Sequence, residues 1–321
     1  MSSPVDKGGK ITHRNARSLH AIIGALVGDA ASLGFHWLYD QELIRQFGSP
    51  HPEFHQPNRT EYHDKGYFAH GSKQVGDLTH YGAQLIAMLD ALVQTGHYDE
   101  ARYIRSFREW FDFGGKWQGY TDKPTKQTLL NIHELEAKEL RVTLCGADDT
   151  QNPALSKLPP LVAFHSDDDK LAKLVDSAVR VTNNNDTAVM YAQAIAVMIQ
   201  MALQGAAPKA CVMAAQTVSP KIANDIQRAE AMSGKTATSV AESIGMHCGL
   251  DASFVVICHL LMNSESYETT MRENIYCGGD SSGRAIPLGA ILGASYYDTP
   301  MSIPNHWMDN TSLPRRLLQC L

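Results

Sequence analysis

Strand-like alternation of polar and apolar residues is almost absent from this sequence of 321 residues, which argues against a β-sandwich or barrel. Internal repeats and low-complexity tracts are missing as well, so a solenoid or propeller is not expected. The six cysteines (Cys145, Cys211, Cys248, Cys258, Cys277, Cys320) are scattered, with no CxxC pair and no zinc-like spacing, and read as free thiols in a reducing compartment. The opening stretch MSSPVDKGGKITHRNARS has no apolar core of a secretory signal. The most apolar run, Phe254 to Met262, is too short to cross a bilayer. Positive charge is scarce: 28 Lys and Arg stand against 34 Asp and Glu, for a net charge of −6. A polyanion-binding surface needs clustered basic residues, so nucleic acid is not an expected partner, although one local pocket for a phosphorylated ligand remains compatible. The expectation is a soluble, cytoplasmic protein with neither a nucleic-acid nor a membrane partner.

What is present is helical periodicity. With 44% hydrophobic residues the chain can bury a large core. We expect a flexible tail over 1–15 and one helical domain over 16–321. Leu19, Ile22, Ile23, Leu26, Val27, Ala30 and Leu33 recur at three- and four-residue steps, placing one stripe of a first helix, ending near Gly34, against a core. Tyr81, Leu85, Leu89, Leu92 and Val93 repeat the pattern up to Gly96. Further helices are expected over 99–111, 125–140, 170–181, 187–203, 209–217, 237–245, 252–262 and 284–297. The segment 188–203 is apolar nearly all round and reads as a central, enclosed helix. Ser49 to Gly76, Gly114 to Thr128 and Asp148 to Pro160 read as long polar connections. The fold class is therefore all-α, a compact orthogonal multi-helix bundle.

Four polar motifs interrupt these helices. GALVGDAASLGFHW (Gly24 to Trp37) sets Asp29 among small residues, where its carboxylate can meet backbone donors from a closely approaching loop. VGDLTHYG (Val75 to Gly82) places Asp77 and Thr79 ahead of a helix, either as N-caps or as oxygen ligands to a hard cation. VTNNNDTAV (Val181 to Val189) offers Asn184, Asn185 or Asp186 as cap of the central helix. IYCGGDSSGRAIPLGAILGA (Ile275 to Ala294) has Gly278 and Gly279 for a tight loop and Asp280, Ser281 and Ser282 as oxygens. In that last motif Pro287 is expected in the first turn of a small-residue helix.

The order and local sequence of these motifs resemble the ADP-ribosylglycohydrolase family, in its J1-crystallin-like branch. GDAASLGFH, GDLT, Thr182–Asn183 and GGDSSG stand where the family has GDAxGxPxE, a TDDT-like loop, a Thr–His turn and GGDTDT. FHWLYD, THYG, YTDKPTKQTL and SKLPPLVA are similar to the J1-crystallin branch, and the last corresponds to a loop near the ligand's ribose and phosphates. The resemblance implies an orthogonal helical bundle holding two Mg²⁺ ions in a cleft and cleaving the N- or O-glycosidic bond of ADP-ribose. The departures are specific. Leu78 and Ser282 stand where carboxylates are expected, the second of them the bridging one, and Gly283, His36 and Asn183 replace a Thr, a Glu and a His.

By this resemblance the metal candidates are Asp77, Thr79, Asp280, Ser281 and Ser282, supporting at most one weakly held Mg²⁺, because two lost carboxylates remove the charge that strips water from that ion. Candidate catalytic groups are Asp77, Asp280 and His36, and candidate ligand-binding residues are Asp29, Asn183, Asn184, Ser156, Gly278 and Gly279. Two readings follow. One is a hydrolase acting on an ADP-ribose-like or other glycosidic small molecule through an altered, metal-depleted site. The other is a non-catalytic J1-crystallin-like protein with a binding or structural role. His51, His55, His63 and His70 read as solvated loop residues.

Overall fold

The computed structural model describes residues 13–57 and 62–319. Among these residues the regular structure is helical: three isolated bridges, Leu38 with Gly66, Ala147 with Asn183 and Gln151 with Gly249, are the β pairing. The helices are α1 (His13–Ser32), α2 (Gln41–Gly48), α3 (His80–Thr95), α4 (Glu100–Phe111), α5 (Lys123–Ala137), α6 (Leu158–His165), α7 (Leu171–Arg180) and α8 (Asp186–Leu203). They continue with α9 (Pro208–Ala214), α10 (Pro220–Ala231), α11 (Ala237–Ile244), α12 (Leu250–Met262), α13 (Tyr267–Tyr276), α14 (Ser281–Ser295), α15 (Asn305–Asp309) and α16 (Arg315–Leu318). Helix α1 already runs at His13, inside the segment 1–15 read as a tail, and residues 1–12 lie outside the described residues.

The centre is the crossing of α1 and α14. A Cβ on Gly24 would lie 2.2 Å from the Gly289 carbonyl oxygen, and one on Gly289 equally close to that of Gly24. Two helix backbones therefore touch with no side chain between them, which the small residues of the last motif permit. Helices α8 and α12 line the same core with Tyr191, Ile195, Met198, Phe254 and Ile257. Ala16–Phe35 and Asp186–Leu203 have the length and apolarity of bilayer-crossing helices, but 78% and 56% of those windows are buried inside the fold.

Three sequence expectations need correction. Asp148 to Pro160 is not a loop throughout: it contains a 3-10 turn at Asn152–Leu155, and α6 begins at Leu158 with two prolines near its start, where a missing N–H costs little. Helices α10 and α13 were not anticipated. Pro287 lies inside α14, because Asp280 caps that helix and makes Ser281 helical already.

Candidate functional site

The site is assembled from the ends of α1, α3 and α14. Beyond α1 the chain turns through Leu33–Phe35 and places Trp37 at φ 63°, a left-handed conformation that a bulky side chain rarely adopts. It is held there by main-chain bonds on both sides: Trp37 N donates to Gly279 O at 2.7 Å, Gly279 N donates to Leu38 O at 2.7 Å, and Tyr67 N donates to Trp37 O at 3.0 Å. Gly279 must be glycine, since φ is 62° and a Cβ would sit 2.0 Å from Met246 O. Gly279 thus bolts the FHW segment to the α14 cap, and strain like that at Trp37 collects at functional sites.

Asp280 is fully buried and accepts four hydrogen bonds. His36 Nε2 (2.8 Å) and Gly283 N (3.1 Å) donate to Oδ1, and the Tyr81 hydroxyl and Asn152 Nδ2 (both 2.8 Å) donate to Oδ2. Burial alone would raise its pKa, but these donors, with His36 foremost, hold it down to about 2, so the group is a carboxylate. Asn152 was not singled out from the sequence and carried no motif signal.

A cluster of imidazoles lies against this carboxylate. His36 Nδ1 meets His70 Nε2 at 2.7 Å, and the two rings lie nearly coplanar, edge to edge, with 19° between planes and 4.9 Å between centroids. His80 stacks 6.1 Å from His36 and 6.3 Å from His70. Trp37 packs beside all three, and Tyr67 and Tyr120 close over Trp37 at 5.6 and 5.1 Å. His70 is only 2% exposed, which corrects its reading as a solvated loop residue: the loop folds inward at that point. His51 and His63 are exposed, as expected. Burial lowers the pKa of each clustered histidine, His80 to about 3 and His70 well below its usual value, so all three are neutral near pH 7. His70 Nδ1 and both nitrogens of His80 are buried without a hydrogen-bond partner, although His80 Nε2 lies 3.2 Å from Asp122 Oδ2.

The second expected motif is arranged differently from a metal loop. Asp29 accepts from Thr79 N at 2.8 Å and from the Thr79 hydroxyl, while Thr79 Oγ1 accepts from Tyr81 N at 3.1 Å and so caps α3. Asp29 is therefore met by donors of a closely approaching loop, as its small neighbours suggested. Burial raises its pKa to about 7 against the effect of the Thr79 hydrogen bonds. Asp77 turns away and accepts from Gln74 N at 2.9 Å. Leu78 is buried in the main core. Ser281 and Ser282 are buried with hydroxyls lacking partners.

A Mg²⁺ ion takes about six oxygens in near-octahedral geometry. Here Asp280 is saturated by four donors, Asp77 faces Gln74, and the Thr79 hydroxyl is engaged with Asp29. These donors do not fit that ion, and among the described residues no group of three or more His, Cys, Asp or Glu is placed to hold a metal.

On the far side, Asn183 Nδ2 reaches Asp149 Oδ1 at 3.2 Å and its Oδ1 accepts from the Thr182 hydroxyl at 2.9 Å. Lys157, fully buried, donates to Pro153 O (2.6 Å) and Thr182 Oγ1, and burial drops its pKa to about 7. Asn184 is tied to Arg180 and Leu144 O, and it is Asn185 that caps α8. Ser156 Oγ is buried without a partner. Asp122 caps α5 and, chiefly through burial, is raised to about 6. Asp122, Asp149 and Lys157 were not among the proposed site residues: YTDKPTKQTL and SKLPPLVA, which hold Asp122 and Lys157, marked the branch without assigning them a role, and Asp149 lies in a polar connection with no distinctive spacing.

Two clefts border this cluster. One, of about 580 Å³, is lined by Tyr39, Asp64, Lys65 and Tyr67, and another, of about 460 Å³, by Lys123, Asp148, Asp149 and Asn184.

An all-helical bundle with a buried carboxylate at the α14 cap and polar helix ends facing it defines a class of helical proteins with an enclosed polar site. The chain belongs to the ADP-ribosylglycohydrolase family, which matches residues 11–321. It is 25% identical over 322 residues to crystallin J1A of Tripedalia cystophora, covering 94% of each chain, and 25% identical over 318 residues to crystallin J1B of the same organism. It also resembles an uncharacterized protein of Archaeoglobus fulgidus, with 19% identity over 296 residues and 90% of each chain covered. In structure it resembles an ADP-ribosylglycohydrolase-related protein complex with a TM-score of 0.67, at 19% identity over 96% of each chain.

Proposed function

We propose that this protein hydrolyses the N- or O-glycosidic bond of an ADP-ribose-like ligand without Mg²⁺, using imidazole–carboxylate pairs where relatives of the resembled type use metals. The observation that carries this reading is the pairing of neutral, buried histidines with carboxylates on both sides of one aromatic-lined cluster: His36 with Asp280 and His80 with Asp122. A neutral imidazole with a free nitrogen, as on His80, can accept a hydrogen bond from water and hold it beside Asp122, whose pKa of about 6 suits that carboxylate to take the proton. Buried polar atoms without partners cost about 1–3 kcal/mol each, so the cluster at His70, His80, Ser281 and Ser282 calls for a hydroxyl-bearing ligand or ordered water to satisfy it. Strain at Trp37 points the same way.

A non-catalytic, J1-crystallin-like role is favoured by one specific observation, the saturation of Asp280 by four donors, which suits a structural anchor. The two readings separate in an assay of ADP-ribose release from ADP-ribosylated protein in excess chelator. Hydrolysis predicts release that Mg²⁺ does not accelerate and that His80→Ala abolishes. No release with or without Mg²⁺ would refute it.

A further inference from the structure

Hydrogen bonding decides which nitrogen carries the proton on two of the clustered histidines. Asp280, receiving four donors, acts only as an acceptor, so His36 Nε2 bears the hydrogen. His36 Nδ1 is then a lone pair, and the 2.7 Å contact must be donated by His70 Nε2. A neutral imidazole has one N–H, which leaves His70 Nδ1 as a bare acceptor, buried and without a partner.

We propose that His70 Nδ1 receives a sugar hydroxyl of the ligand, so that the histidine cluster recognises directly the kind of group a metal would otherwise hold. The proposal rests on the reading above, in which this cluster takes a ribosyl ligand without Mg²⁺. A hydroxyl can donate to a lone pair; a phosphate or carboxylate oxygen cannot, so the contact selects the sugar rather than the anionic part of a ligand. Trp37, its ring plane 18° from that of His70 with centroids 6.0 Å apart, is the aromatic neighbour of that contact, buried beneath Tyr67 and Tyr120. Tyr67, 56% exposed and lining the cleft of about 580 Å³, packs 5.6 Å from Trp37 and links it to that cleft. Nothing in the sequence pattern marks His70 for this role, because its orientation depends on a chain of bonds that begins at Asp280.

The test uses ADP-ribose as probe and the full chain in chelator. Titration calorimetry should show His70→Phe, which keeps an aromatic ring but no acceptor, binding about tenfold more weakly, while His70→Asn, which restores an acceptor at the δ position, stays within about threefold of the parent. Nitrogen-15 NMR of the unaltered protein should show His70 Nδ1 as a bare nitrogen that shifts upfield on saturation with ADP-ribose. Binding and the shift without any turnover would uphold this contact and refute the hydrolase reading. Turnover with an unmoved His70 Nδ1 resonance would uphold the hydrolase and overturn the contact. Failure of ADP-ribose to bind, or a hydrogen found on His70 Nδ1 in the free protein, would also overturn it.

Discussion

His36 and Asp280 meet through a 2.8 Å hydrogen bond with both side chains wholly shielded from solvent. Asp280→Ala would leave the His36 N–H, the Tyr81 hydroxyl and Asn152 Nδ2 without their acceptor. Each buried donor left unpaired costs about 1–3 kcal/mol, so this variant should lose more than any single hydrogen bond is worth. Asp280→Asn, which keeps shape and one oxygen, should cost less, about 1–3 kcal/mol. Urea unfolding of both variants checks the order; equal losses would show that the charge, which both variants remove, accounts for the whole effect and that the retained amide oxygen contributes nothing.

Gly82 is fixed by the neighbouring carboxylate. A Cβ there would come 2.4 Å from Asp29 Oδ2 and 3.0 Å from Leu78 Cβ. Gly82→Ala should destabilise the protein by about 1–3 kcal/mol through overpacking. The same change in Asp29→Gly should be milder than the sum of the separate effects, a coupling that a double-mutant cycle reads directly.

Asp29 gives a pH dependence of definite sign. Its folded pKa is about 7 against an ordinary value of 3.8, so the folded state keeps a proton that the unfolded chain releases. Its contribution is therefore most favourable below about pH 4 and is lost as pH rises toward 7. The buried His80, lowered to about 3, acts oppositely: it must charge on unfolding in acid, so its contribution grows as pH rises from about 3 to 6.5. Only a difference measurement isolates either group. Asp29→Asn should gain stability relative to the parent between about pH 4 and 7, by at most about 4 kcal/mol. A constant difference across that window would show that Asp29 is ionised throughout.

Restoring a carboxylate at the second motif should not restore a metal site. Leu78 packs into the main core, so Leu78→Asp would bury a charge without a partner and should destabilise by about 2–4 kcal/mol. Calorimetry with MgCl2 should show no binding to this variant, because Asp77 stays turned toward Gln74 and Asp280 stays saturated. Tight Mg²⁺ binding by Leu78→Asp would mean the loop rearranges far more easily than its hydrogen bonds suggest.

The parts legible in the sequence were those with a local signal. The three- and four-residue apolar repeat located α1 and α3, an all-round apolar stretch located α8, and Thr79 and Asn185 lay among the residues proposed as caps. Helix α6 was concealed because Pro159 and Pro160 read as breakers, although both fall where no N–H is needed. Asp280, His36 and Asp29 were found through motifs, and the fold unites them near one cluster. Asp77 was proposed with them but is engaged by Gln74 instead, in a local turn where Asp77 N donates to Gln74 O and Gln74 N donates to the carboxylate. His70, His80, Asn152 and Lys157 enter the site from distant segments. Their roles depend on tertiary contacts with Asp280, Asp122 and Thr182 that no spacing encodes.

The central claim is that imidazoles, not metals, face the ligand beside Asp280. A crystal structure of the protein grown with both MgCl2 and ADP-ribose tests it most directly. The account predicts a ribose hydroxyl within hydrogen-bonding distance of His70 Nδ1, with His36 still bonded to Asp280. A cation coordinated by Asp280 together with Thr79 or Asp77, at ligand distances near about 2.1 Å, would contradict it.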